Sequence, residues 1–253
     1  MKVPLFLASV FVLAARAAAA PAPAETPVLV ELFTSEGCSS CPPADRLLAR
    51  LAADQPVSGA LVVALSLHVD YWNRLGWVDP FSSARFTERQ GAYGAHLGGG
   101  GSVYTPQMVV DGLTAFVGSD ERAARRAIEK AAREPKAFVR VNPDGAGAVR
   151  VTVAGAAAGA DVFLAVVEDG LTSDVRRGEN AGKRLAHFAV ARELVVAGRV
   201  GPAGRFDAEV PVAPGPGMRR VLAFAQERGL GRILGTSASA GLPPARRPIP
   251  TTR

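Results

Sequence analysis

Residues 26–34, TPVLVELFT, form a short apolar and β-branched run followed by the turn residues Ser35, Glu36 and Gly37. Such a run reads as a buried strand. From Ala44 to Ala53 the sequence ADRLLARLAA spaces Leu47, Leu48 and Leu51 along one side, which predicts a helix. A second apolar run, Ala60 to Val69, follows the loop residues Gln55 to Gly59 and predicts another buried strand. Strand, helix and strand with short links make a right-handed βαβ unit with parallel strands.

Residues 70–104 break this rhythm with a segment rich in Gly and aromatic side chains, which holds Tyr71, Tyr93, Tyr104, Trp72 and Trp77 and ends in the run Gly98 to Gly101. Two readings stay open for it: a small satellite core, or a lid or groove wall of the kind long loops supply. Pattern resumes with a strand from Gln107 to Val110, the turn Asp111-Gly112 and a strand from Leu113 to Val117, an antiparallel hairpin. A helix from Ser119 to about Arg133 follows, with Ser119 as its cap and Pro135 closing it. From Ala137 onward about seven short alternating segments are separated by Gly, Pro and Asn, which predicts an antiparallel sandwich.

The expected organisation is a signal peptide over residues 1–22, an α/β domain over 26–135 with an insertion at 70–104, an all-β antiparallel sandwich over 136–240, and a disordered Pro-rich tail over 241–253. The signal rests on Lys2, the apolar run Val3 to Ala15 and the small residues before Pro21. That run is too short to span a bilayer, so no membrane span is expected after cleavage. The location implied is periplasmic or secreted.

Composition narrows the field. The formal charge of +6 falls by two when Lys2 and Arg16 leave with the signal, and the arginines are scattered rather than striped with aromatics, so no nucleic-acid partner is expected. The only cysteines, Cys38 and Cys41, lie three apart, which excludes a framework of several disulfides. A bridge over so short a loop removes little chain entropy, so stability is a weak reason for the pair. A Cys-x-x-Cys between a strand and a helix points instead to thiol-disulfide exchange. Cys38 is then the nucleophile, favoured as thiolate by nearby backbone N–H groups and the helix dipole, and Cys41 the resolving thiol. Pro42 and Pro43 follow directly. Either the helix starts near Pro42 with Cys41 as its cap, or it begins earlier and is bent.

The order βαβ then ββα, with Cys-x-x-Cys after the first strand and Thr105-Pro106 before the third, resembles the thioredoxin fold over residues 26–134. The segments ELFTSEGCSSCPPAD (31–45), LHVDYWNRLGWVDPFS (67–82), RQGAY (89–93), YTPQMVVDG (104–112) and GENAGKRL (178–185) resemble an exported bacterial family, domain of unknown function 1223. The resemblance implies a thioredoxin-like domain and an exported location, and no established activity. It also implies a cis Thr105–Pro106 bond facing the cysteines, so that Thr105, Pro106, Trp72 and Tyr104 form the expected substrate-binding set. His68 and Asp70, at the carboxyl end of the second strand, are expected on the same sheet edge as Cys38, and two readings stay open for His68: it tunes or deprotonates a cysteine with Asp70 beside it, or it is a hydrogen-bonded structural residue. In GENAGKRL, Gly178, Asn180 and Gly182 suit a turn, and Glu179 or Arg184 is placed to reach the interface between the domains; His187 receives no role. The expected activity is an exported thiol-disulfide oxidoreductase acting on protein thiols or disulfides of the cell envelope, without an organic cofactor. Two alternatives remain: copper handling through Cys38, Cys41 and His68 or Met108, and a binding module without catalysis.

Overall fold

The computed structural model describes residues 25–97, 102–144, 147–213 and 219–240. The expected signal (1–22), the Gly98 to Gly101 run and the tail (241–253) lie outside the described residues. In chain order the elements are β1 (Thr26–Thr34), α1 (Pro42–Asp54), β2 (Ala60–His68), α2 (Ala84–His96), β3 (Gln107–Val110), β4 (Thr114–Val117) and α3 (Glu121–Ala132). They continue with β5 (Phe138–Pro143), β6 (Ala148–Ala154), β7 (Asp161–Glu168), β8 (Leu171–Asp174), β9 (Arg184–His187), β10 (Val190–Arg199), β11 (Arg205–Pro211), β12 (Arg219–Gln226) and β13 (Ile233–Ala238). Among the described residues no helix is long and apolar enough to cross a membrane.

The first half folds locally much as its pattern demands. β1 and β2 pair in parallel from Thr26 opposite Ala60 to Thr34 opposite His68, and β3 returns antiparallel to β1. α1 buries Ala44, Leu47, Leu48 and Leu51 against Val28, Val30 and Leu32, one face of β1. It starts at Pro42 behind Cys41, so the prolines occupy the first turn, where their missing N–H groups cost nothing. α3 is capped by Asp120, whose carboxylate accepts from the Ala123 amide at 2.9 Å, rather than by Ser119.

The expected fold class, an α/β thioredoxin-like domain followed by a separate all-β antiparallel sandwich, is overturned by the strand pairing. One mixed sheet of eight strands runs β13-β12-β7-β10-β2-β1-β3-β4. Strands from the second half therefore extend the sheet of the first, joined where Val190 of β10 lies parallel to Ser66 of β2. The physical reason is two-sided burial. Along β7, Phe163, Ala165 and Val167 meet one core and Val162, Leu164 and Val166 another. A strand buried on both faces belongs inside a layered sheet and reads as a continuous apolar run rather than strict alternation. The first of these cores gathers Leu29 and Phe33 of β1, Leu65 and Leu67 of β2, and Phe224 of β12 beneath Phe86 and Tyr93 of α2. The second is closed by the small sheet β11-β6-β5, whose Val149, Val151 and Val153 stack over β7 and β12. The large sheet also curls back on itself, since the Ile233 amide at the start of β13 donates to the Asp111 carbonyl just after β3, at 2.8 Å.

α2 crosses the segment expected as an insertion. Its N-cap is Ser83, and its inward side is polar: Arg89 donates from Nε to Glu31 Oε1 at 2.7 Å, and from the guanidinium to the Tyr93 hydroxyl (2.9 Å) and Gln226 Oε1 (3.0 Å). The Tyr93 hydroxyl in turn donates to Glu31 Oε2 at 2.7 Å. This buried network ties β1, α2 and β12 together.

Candidate functional site

Cys38 and Cys41 are joined in a disulfide, and neither has any solvent exposure. β1 ends at Thr34, and a tight turn carries the chain over to α1, with the Cys38 amide donating to the Ser35 carbonyl (3.2 Å) and the Cys41 amide to the Cys38 carbonyl (3.2 Å). The Cys41 carbonyl accepts from the Ala44 and Asp45 amides, which begin α1. Cys38 thus stands one turn ahead of the helix, and the dipole acts on it from that distance.

Of the expected substrate-binding set, three members stand together. The Trp72 Cβ packs against Gly37, leaving 3.0 Å to a side chain there, and the Trp72 indole N–H donates to the Thr105 hydroxyl at 2.8 Å. Thr105–Pro106 is cis, and Pro106 and Ala44 of α1 both flank Gly118. Tyr104 sits on the rim with about a third of its surface exposed, its carbonyl held by Gln90 Nε2 at 2.7 Å. Asp70 is directed elsewhere: it accepts from the Thr87 hydroxyl at 2.6 Å and fastens α2.

His68 is buried in a cluster that sequence reasoning met only in part. Its Nδ1–H donates to Asp79 Oδ2 at 2.7 Å, and the same oxygen accepts from the Glu36 amide at 2.8 Å. Glu36, two residues before Cys38, accepts from the Trp77 indole at 2.7 Å and from His187 Nε2 at 2.8 Å. The two histidine rings stand 5.0 Å apart, with Phe81 edge-on to both. Their other nitrogens, His68 Nε2 and His187 Nδ1, are buried with no hydrogen-bond partner among the described residues. Asp45, one helical turn beyond Cys41, turns its carboxyl into the same region beside Thr34.

Electrostatics in this cluster are set by burial against pairing. Burial pushes the Asp45 carboxyl above its ordinary value, offset only in part by His68 and the Thr34 hydroxyl. For His68 burial acts downward, but the Asp79 carboxylate outweighs it and holds the imidazole above its ordinary value. Asp79 moves the other way, since His68 and the Glu36 and Phe81 amides overcome its burial.

GENAGKRL reaches the cysteines from far along the chain, in the loop between β8 and β9. Asn180 is fully buried, and its Nδ2 donates to the carbonyls of both Glu36 and Cys38 at 2.9 Å. The Glu179 carboxylate accepts from the Ser39 amide at 2.9 Å, and the Ser39 hydroxyl together with that amide lowers its proton affinity. Arg184 contacts Thr172 instead. Asp45, Asp79 and Asn180 fall inside the family-like segments and His187 just beyond one, but nothing in the sequence gives their roles, because each acquires its role from partners distant along the chain. Met108 lies in the core with Leu32 and Ala44, and among the described residues no group of three or more His, Cys, Asp or Glu side chains is arranged to hold a metal ion.

No curated protein matches this chain. A similar solved structure is the crystal structure of protein AGR_C_4864 from Agrobacterium tumefaciens, 28% identical, with a TM-score of 0.69 over 86% of this chain and 95% of that one. The family model described as "Protein of unknown function (DUF1223)" matches residues 29–226, which span the strand before the cysteines, the His68 segment and the Asn180 loop, and the chain belongs to that family.

Proposed function

We propose that this chain is an exported thiol-disulfide oxidoreductase that exchanges disulfides with protein cysteines through Cys38 and Cys41. The observation that carries the reading is the disulfide itself, set in the turn between β1 and α1, with Trp72 packed on Gly37 of that turn and bonded to Thr105. In the reducing direction of exchange, a partner thiolate attacks Cys38 Sγ, the bond to Cys41 Sγ breaks, and Cys41 leaves as a thiolate that takes up a proton. The partner's second thiol then attacks the mixed disulfide and releases Cys38. Two electrons and two protons pass from the partner dithiol to the cysteine pair, so the partner is oxidised, and the reverse sequence reduces a partner disulfide. Trp72, Tyr104, Thr105 and Pro106 form the surface along which the partner chain lies. The export part of the proposal rests on the leader-like residues 1–22.

The test is to incubate reduced Cys41→Ser protein with an oxidised protein substrate and to look for a mixed disulfide on Cys38, alongside equilibration of the wild-type pair with glutathione. A trapped adduct and a defined equilibrium are expected. If no adduct forms and the pair never exchanges with glutathione, the proposal fails. The same cysteines would then belong to a binding module.

A further inference from the structure

A disulfide with no exposed surface cannot be attacked, because the incoming sulfur must reach a cysteine sulfur directly. The residues on the turn between the cysteines, Ser39 and Ser40, are exposed, yet both cysteines are covered. The segment lying on this turn comes from about 140 residues further along the chain. Asn180 grips the two carbonyls that flank Gly37, and Glu179 takes the Ser39 amide between the cysteines. Lys183 donates to Asn180 Oδ1 at 2.9 Å, which orients the amide so that its NH2 faces the two carbonyls. Gly178 packs on the aromatic wall beside the site, so closely that a methyl group in place of its hydrogen would stand 3.4 Å from the Trp77 Cβ.

The mounting of this segment is unlike that of its surroundings. β8 and β9 form a two-stranded sheet of their own, paired with neither larger sheet. An isolated hairpin of this size has little stability of its own. The loop it carries turns at Gly178 and Gly182, both at positive φ (78° and 80°), a region open to glycine at no steric cost. Opening it breaks three hydrogen bonds to the cysteine turn without disturbing the eight-stranded sheet.

We propose that the Gly178 to Lys183 loop is a strap that gates the cysteine pair, with Asn180 as its latch and Glu179 occupying the Ser39 amide until a partner polypeptide brings its own acceptor to that amide. The strap concerns access to the same site, and its functional meaning rests on the exchange reading above. In the closed state the pair is protected from small oxidants and reductants, and exchange runs at the rate of strap opening.

Access is measurable apart from redox competence. In a Cys41→Ser background Cys38 carries a single thiol, and its rate of labelling by a maleimide under native conditions reports cover. Asn180→Asp replaces the NH2 that faces two carbonyls with an oxygen. Loss of two hydrogen bonds of ordinary net worth predicts labelling faster by about tenfold or more. Glu179→Ala, an exposed and milder change, predicts a smaller acceleration in the same direction and guards against misfolding of the first variant. The same changes in the wild-type cysteine background speed reduction by dithiothreitol to a similar extent. Labelling of Cys38 that is fast without either change, or unaltered by both, overturns the strap. Strap-dependent labelling in a protein whose cysteines never equilibrate with glutathione overturns the exchange reading alone.

Discussion

The His187 imidazole donates to Glu36 at 2.8 Å across a separation of 151 residues, and its ring lies 5.0 Å from that of His68, which is held by Asp79. Two buried imidazoles, each on its own carboxylate, thus brace the turn that carries Cys38. The Asp79 end offers the cleaner test, because that carboxylate raises the proton affinity of His68 against the pull of burial.

Replacing Asp79 with Asn removes the strongest influence opposing the burial of His68 and leaves only Asp45 and Glu36 against it, so its titration in a proton NMR experiment should move down from the wild-type position. A group with a raised folded value contributes stability in full below its unfolded value near 6.5, and loses it as pH rises through the folded value. Wild-type protein should therefore lose stability on the alkaline side of that window, and Asp79→Asn should lose less there. At pH 6 the variant should be weaker by about 3 kcal/mol or more, as expected when one partner of a buried charged pair is removed. A His68 titration that does not move would refute the pairing.

The Glu31–Arg89 network makes a second prediction. Arg89→Met leaves the Glu31 carboxylate buried beside Tyr93 without its cation. Urea unfolding should show a loss of about 3–5 kcal/mol. The double change Glu31→Leu with Arg89→Met removes both charges and should recover much of that loss. A single variant within about 1 kcal/mol of wild type would mean that α2 is held by its apolar contacts instead.

Asp111 provides a third. Burial pushes its carboxyl up to about 6, against the opposing effect of the Lys136 ammonium it contacts and of the Leu29 amide bonded to it at 2.9 Å. Because the folded protein binds this proton more tightly than the unfolded chain, stability rises as pH falls from about 6 toward the ordinary aspartate value near 3.9. Asp111→Asn should flatten that rise when unfolding free energies at pH 7, 6, 5 and 4 are compared with wild type. An unchanged slope would place the proton elsewhere.

Much of the scaffold was legible because local pattern and final burial agree. The apolar runs of β1 and β2, the leucine stripe of α1 and the Asp111-Gly112 turn all read as they fold, and so do most strands of the second half, although β8 has no counterpart in the pattern and the run from Leu185 to Val196 splits into β9 and β10. α2 was missed because ARFTERQGAYGAH buries Arg89 and Gln90 rather than an apolar stripe, with Phe86 and Tyr93 as its only large apolar anchors. Its helical period is hidden from any count of hydrophobic positions. The separate sandwich was an error of a different kind. Seven strands with turn signals specify strands, not which sheet they enter, and only the pairing of β10 with β2 and the two-sided burial of β7 and β12 show that they extend an existing one. At the site, Cys38, Cys41 and the Trp72–Thr105–Pro106 group follow from local motifs. Glu36, Asp79, His187 and Asn180 do not, because their partners lie on other elements: Asp79 meets His68 and the Glu36 amide, while His187 and Asn180 meet the cysteine turn only once the hairpin of β8 and β9 lies against it.

The single curled sheet has a consequence for how the molecule is made. β1 is among the first described residues, yet its Leu29 and Phe33 are covered by side chains from β12 and β13, and β2 awaits β10 on its open edge. A fragment ending near residue 135 holds nearly all of the core under α1 and α3 but leaves the core under α2 open, and its unpaired β2 would invite pairing with other chains. The polypeptide must keep that face of its first strands from aggregating until nearly its last strand is available, whereas the cover of the cysteine turn arrives earlier, with residues 178–183.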